Sequence, residues 1–220
     1  MLSRCLLGLL LILYVTPSLA EEGAPKPPPS TNATLQQIVP GDHWSYQVKD
    51  EITGAIKLTR TDTVTDVSNS QITVRSDADN GRSGIIVYDR SWNVVRSDPF
   101  KYSPNDGTGF QLPLTPGAQW KIAIDASNSS NGLTFRRTGT SRVTAQEDVT
   151  TKAGTFQTFV VETNFTGKNV QDPTLVNQAS DRTWFSAEVN HWVKRSILLR
   201  RRGSIVENNT IELTGYGHKQ

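Results

Sequence analysis

From Trp44 onward, large apolar residues fall on every second position in short runs. Trp44, Tyr46 and Val48 alternate with Ser45, Gln47 and Lys49, which is the period of a strand with one buried face. The same period returns at Trp120, Ile122 and Ile124, and again at Phe159, Val161, Thr163 and Phe165. Turn chemistry separates the runs, as in Ser68-Asn69-Ser70, Asp79-Asn80-Gly81 and Lys152-Ala153-Gly154-Thr155. Further strands are predicted over 55–67, around Ile72 and Val74, and over 85–88, 92–96, 133–147, 182–186, 192–200 and 205–216. Two stretches, 97–118 and 167–181, read as loops. Leu35, Ile38 and Val39 predict one helical turn, and no later window keeps helical spacing for three turns. Nine or ten strands with short turns predict an all-β antiparallel barrel or a two-sheet sandwich. The 24 threonines after residue 20 suit pleated, half-solvated strands.

The chain opens differently. Met1-Leu2-Ser3-Arg4 is a short positive start, and Cys5 to Val15 is an apolar run shorter than the ~20 residues a membrane span needs. Thr16-Pro17-Ser18-Leu19-Ala20 ends it in a small-x-small pattern, so residues 1–20 read as a signal peptide cleaved after Ala20. Residues 21–33 hold Pro25, Pro27, Pro28 and Pro29 and read as a flexible tether. Residues 34–220 then form a single β domain, periplasmic or secreted, with no transmembrane segment. Cys5 and Met1 are the only Cys and Met, so the exported portion has no disulfide and no thiolate chemistry. At about 200 residues it can bury roughly 70% of its unfolded surface without such staples.

Charge narrows the partners. Without Arg4, 22 basic residues face 21 acidic ones, a balance that excludes a nucleic-acid footprint spread over the whole chain. No glycine loop opens a helix to cradle phosphate, and no cofactor motif is present. Gly81-Arg82-Ser83-Gly84 does not match the nucleophile elbow. His43, His191 and His218 are far apart in sequence, so a zinc site would need long-range convergence of His43, His191 and a carboxylate. Asn105-Asp106-Gly107 carries oxygen ligands for calcium, but the same tripeptide is ordinary turn chemistry.

Pro40-Gly41-Asp42-His43-Trp44 recurs as Pro116-Gly117-Ala118-Gln119-Trp120, and Thr61-x-Thr63 as Thr138-x-Thr140. Each segment also closes on a Trp strand, Trp92 to Arg96 and Trp192 to Arg195. The halves 40–97 and 116–216 are therefore candidates for an internal repeat. Two stretches resemble exported bacterial β-rich domains of unknown function. Lys152-Ala153-Gly154-Thr155-Phe156-Gln157-Thr158-Phe159-Val160-Val161 is similar to their Ala-Gly-Thr-Phe hairpin, and Thr183 to Lys194 to their Trp-aromatic strand pair ending in Trp-Val-Lys. The resemblance covers mainly 116–201 and implies an antiparallel envelope protein without an assigned activity.

Two clusters remain as candidate binding surfaces. Lys194, Arg195, Arg200, Arg201 and Arg202 crowd one strand and its turn, with Arg136-Arg137 expected near them, a patch for an anionic partner or a device that protects a sheet edge. Trp44, Trp120, Phe159, Trp184 and Trp192 are candidates to line an apolar ligand site. The leading expectation is a non-enzymatic envelope protein acting as an interaction or structural module, its partner an envelope protein, lipid or polysaccharide. The alternative is a carrier for an apolar or amphipathic ligand, and a hydrolase is a lesser one.

Overall fold

Trp44, Tyr46 and Val48 turn inward from the first strand, and the inward positions of eleven more strands complete a closed wall. The computed structural model describes residues 37–218; the signal peptide and tether expected over 1–33 lie outside them, as does Leu35. In chain order the strands are β1 (His43–Asp50), β2 (Ile56–Val67), β3 (Gln71–Ala78), β4 (Ser83–Asp89), β5 (Val94–Ser97) and β6 (Phe100–Ser103). They continue as β7 (Gln119–Asn128), β8 (Thr134–Thr151), β9 (Gly154–Asn169), β10 (Val176–Ser186), β11 (His191–Arg201) and β12 (Ser204–Gly217). Every strand pairs antiparallel with its neighbours in sequence, and β1 pairs with β12 to close the barrel. Closure removes both sheet edges. A two-sheet sandwich is thereby set aside.

Three expectations need correction. The barrel has twelve strands, more than the nine or ten expected. One extra strand is β6, which lies inside the stretch read as the 97–118 loop. Its four residues sit between Pro99 and Pro104 and are held by pairing to β5 and β7. The 167–181 loop shrinks to 170–175, because β9 runs to Asn169 and β10 starts at Val176. Alternation failed there because β10 sends Ala179 and Asp181 inward, toward a partly polar interior. The helical turn does not form over its described part; Ile38 is instead a buried member of the core.

The two ends differ. One carries the turns 68–70, 90–93, 152–153 and 187–190 and the long segment 104–118. Phe110 and Leu114 of that segment fold into the barrel and join Trp44, Trp92, Trp120, Val189 and Trp192 in the main apolar cluster. This end is plugged. The other end carries only the short connections 51–55, 79–82, 98–99, 129–133, 170–175 and 202–203. A smaller cluster of Tyr102, Ile122, Ile124 and Ala126 lines one wall toward it. Outward positions on β8, such as Arg136, Thr138, Thr140 and Arg142, are polar and exposed, the reverse of the lipid-facing band of a membrane barrel.

The two Pro-Gly turns are built alike. Gly41 N donates to Val64 O and Val64 N to Asp42 O, while Gly117 N donates to Val143 O and Val143 N to Ala118 O. The Thr-x-Thr segments sit at different heights: Thr61 pairs with Ser45, one residue after Trp44, whereas Thr138 pairs with Ala123, three residues after Trp120.

Candidate functional site: the barrel lumen

Between the plug and the open end lies a cavity of about 310 Å³. Its walls mix apolar side chains (Ile86, Val94, Ile197, Leu199) with Arg60, Arg137, Arg195, Asp106, Asp181 and Glu207. A volume near the lower end of small-molecule sites, with a few convergent polar groups on an apolar wall, is the usual build of a ligand pocket.

Each charge is placed by strand parity. On β11, Arg195, Ile197 and Leu199 face the lumen, and Arg195 Nε donates to Asp181 Oδ2 on β10 at 2.6 Å. Thr183 Oγ1 donates to the other Asp181 oxygen at 2.9 Å. On β2, Arg60 Nη2 lies 3.3 Å from Asp62 Oδ2, with its guanidinium near the rings of Tyr46 and Trp192. Arg60 Nε and Asp62 Oδ1 are buried with no hydrogen-bond partner among the described residues. Arg137 on β8 is held differently, its guanidinium 5.0 Å from the ring centres of both Tyr102 and Phe165. Two arginines are matched by carboxylates; the third is clamped by aromatic faces.

The floor of the cavity is aromatic. His191 stacks on Trp44 at 4.5 Å and meets Trp92 edge-on at 4.4 Å, while Tyr46 stacks on Trp192 at 4.0 Å. Burial, helped by the charge of Arg60, pushes the His191 imidazole down to about 3, so the ring is neutral at ordinary pH. Burial also raises the Tyr46, Tyr88 and Tyr102 hydroxyls, with Asp62 adding to the first two. Asp106, at the start of the plug, is pushed up by burial even though Thr108 and the Val94 amide donate to it. Asn105 Nδ2 donates to Asp89, so Asn105-Asp106-Gly107 fastens the plug and is occupied as a turn.

The expected site residues scatter. Of the five aromatic candidates, Trp192 lines the cavity. Trp44, Trp120 and Phe159 pack in the apolar cluster, and Trp120 Nε1 donates to Gly107 O of the plug. Trp184 is buried in the same cluster, with Arg182 and Lys194 over its ring and its indole donating to Glu147 at 2.6 Å. In the basic cluster Arg195 points into the lumen and is paired, so it does not belong to a surface patch. Arg200 lines a shallow outer groove with Thr138, Asn164 and Gln178. Arg201 reaches Asn177, and Arg202 occupies the β11–β12 turn. His43 Nδ1 faces Gly41 O and His218 faces Asp42. Among the described residues no three His, Cys, Asp or Glu side chains converge to hold a metal ion.

Arg60, Tyr88, Tyr102 and Asp181 were missed as site residues, and Arg137, expected beside the basic cluster, lines the lumen instead. Their signal was present: each shares parity with apolar neighbours on its strand, so a charge or hydroxyl sits where alternation demands an inward side chain. Which strands face one another across the lumen is not local information.

No family model matches this chain, and no curated protein matches it. Solved structures do resemble its fold. One is a protein of Parabacteroides distasonis, provisionally assigned as a lipoprotein, with a TM-score of 0.51 and 12% identity over 81% of this chain and 96% of that one. Another is the hypothetical lipoprotein YmcC of Escherichia coli, with a TM-score of 0.50 and 11% identity over 82% of this chain and 87% of that one. At such identity the likeness is one of fold.

Proposed function

We propose that this chain is an exported, non-enzymatic binding protein that holds a small amphipathic molecule in its barrel lumen. The carrying observation is the 310 Å³ cavity, plugged at one end by Phe110 and Leu114 and lined by both apolar and charged groups. A chain selected only for stability would fill that space, because unfilled core volume destabilises. Export is supported by the signal-like start of the sequence and by the lipoprotein designations of proteins that share the fold.

A further feature supports an amphipathic ligand. Ile52, Ile56, Val170, Ile205 and Val206 are exposed, and all five lie at the unplugged end, on or beside its turns. An apolar rim around a lumen suits molecules that partition between water and an apolar phase.

Native mass spectrometry of the protein isolated from its own envelope, followed by solvent extraction, tests this reading. A reproducible small-molecule adduct is expected, and it should vanish in Ala179→Phe, which fills the cavity from the β10 wall. A bare protein that also takes up no amphiphile on incubation would reject it.

A further inference from the structure

Three arginines enter the lumen, and their surroundings differ in one respect. Arg195 is neutralised by Asp181, and Arg60 faces Asp62. Arg137 has no carboxylate within ion-pair distance among the described residues; its neighbours are the Tyr102 and Phe165 rings. The next inward position on its own strand is Gly139, which pairs with Phe165 of β9. A side chain there would run into Asn164 O and the Phe165 backbone, so β8 cannot supply a carboxylate at that position. A cavity-lining cation with no carboxylate in direct contact is the group on which a ligand's anionic head can form a charge-assisted pair.

We infer that Arg137 is the recognition residue for the head group of a monoanionic amphiphile, a short-chain carboxylate in chemical class. This rests on the lumen-binding reading above and adds the charge and size of the occupant. The Tyr102 and Phe165 rings hold the guanidinium, the Tyr102 hydroxyl takes up one of its N–H groups, and the remaining N–H donors suit a planar carboxylate. The apolar body lies against Ile86, Ile197 and Leu199, which line the same cavity. Asp106, Asp181 and Glu207 also line it, so a second negative charge on the ligand meets repulsion and a dianionic phosphate is disfavoured. The 310 Å³ volume accommodates about ten non-hydrogen atoms at the ~30 Å³ that a water occupies in the liquid, which is the size of octanoate.

Isothermal titration of the purified protein with octanoate, 1-octanol and octyl phosphate is the test. Octanoate is expected to bind at least about ten-fold more tightly than the alcohol, as a charge-assisted hydrogen-bonded pair would give, and more tightly than the phosphate. Arg137→Gln should abolish the preference for octanoate while keeping the affinity for 1-octanol, which also reports that the variant is folded; Arg137→Lys should retain part of it. An octanoate-to-octanol ratio unchanged in Arg137→Gln overturns the assignment of Arg137 and leaves the lumen reading intact. Tighter binding of octyl phosphate overturns the monoanion. If none of the three binds, both readings fall.

Discussion

Tyr46 and His191, 145 residues apart, meet across the barrel closure with Oη and Nδ1 2.7 Å from each other. The Tyr46 hydroxyl donates its one proton to Trp192 O at 3.0 Å. It must therefore accept from His191, which places the imidazole proton on Nδ1. The pair ties β1 to the start of β11, bridging the strand that closes the barrel. Burial beside the Arg60 charge, rather than this bond, requires the ring to stay neutral.

That requirement sets an acid limit on stability. His191 titrates at about 3 in the folded chain and near 6.5 when unfolded. Between these values the unfolded chain binds a proton that the native one refuses, so stability falls as pH drops, and it is unaffected above pH 7. Linkage gives a loss of about 2 kcal/mol from pH 7 to pH 5. Asp106, with its raised value, works in the opposite sense: its contribution is present at low pH and is lost as pH rises. Urea titrations at both pH values should show His191→Gln lacking the wild-type slope, with the Asp106 effect cancelling in the comparison. Parallel losses in the two proteins would exclude His191 as the cause.

The plug depends on a glycine. Gly109 N donates to Asn93 Oδ1 and Phe110 N to Ser91 O, and a Cβ at Gly109 would run into Asn93 N and Ser91 O. The β4–β5 turn beneath is itself held by Asp89, whose Oδ1 accepts from Ser91 N and Asn93 N. That grip keeps Trp92 at a φ of 61°, which a bulky residue rarely adopts. Gly109→Ala should unseat 104–118, expose Phe110 and Leu114, and cost about 3 kcal/mol or more, in the range of lost core side chains. Increased binding of a hydrophobic dye, together with a lower denaturation midpoint, would report it. A variant with wild-type stability and no added dye binding would mean the segment does not seal this end.

Much of the barrel could be read from the sequence, because its outer coat and apolar floor obey strict alternation. Trp44-Tyr46-Val48 and Trp120-Ile122-Ile124 are such runs, and they became β1 and β7. The pattern failed where the interior turns polar, as along Ala179-Asp181-Thr183. There an inward face without apolar residues resembles a loop. The site failed for the same reason. Searching for exposed cations and apolar aromatics favoured Arg200 and Trp184, whereas the lumen is built from cations at inward parity. Closure of β1 on β12 is a long-range pairing that no local window contains.

Asp181 and Arg195 permit a sharper test of the lumen's charge balance. Asp181 is nearly enclosed, with 8% of its side chain exposed, while Arg195 keeps 30% through the cavity. Asp181→Ala strands a cation in the wall and should cost about 3 kcal/mol, the lower part of the range for breaking a buried pair because Arg195 retains some solvent. Adding Arg195→Met should restore more than half, since an apolar side chain needs no counter-charge. Equilibrium urea unfolding of the two single variants and the double variant gives the coupling. Additive losses would mean that the two side chains do not act as a pair.

Gly139 links the wall to the proposed recognition residue. It pairs with Phe165, and Phe165 is one of the two rings that clamp Arg137. A methyl group at this position would strike Asn164 O and Phe165 Cα, so Gly139→Ala must push β8 away from β9 or displace the ring. Either response loosens the Arg137 clamp and weakens the longest hairpin of the barrel, β8 and β9. A stability loss of about 2 kcal/mol is expected from the backbone conflict. In the octanoate titration the selectivity over 1-octanol should fall with it, because a guanidinium freed from its aromatic faces no longer presents a fixed fork. Thr138→Ala, one residue away on the exposed outer face, should change neither quantity. If Gly139→Ala lowered stability but left the octanoate preference at its wild-type value, Phe165 would not be what orients Arg137, and Tyr102 alone would have to hold it.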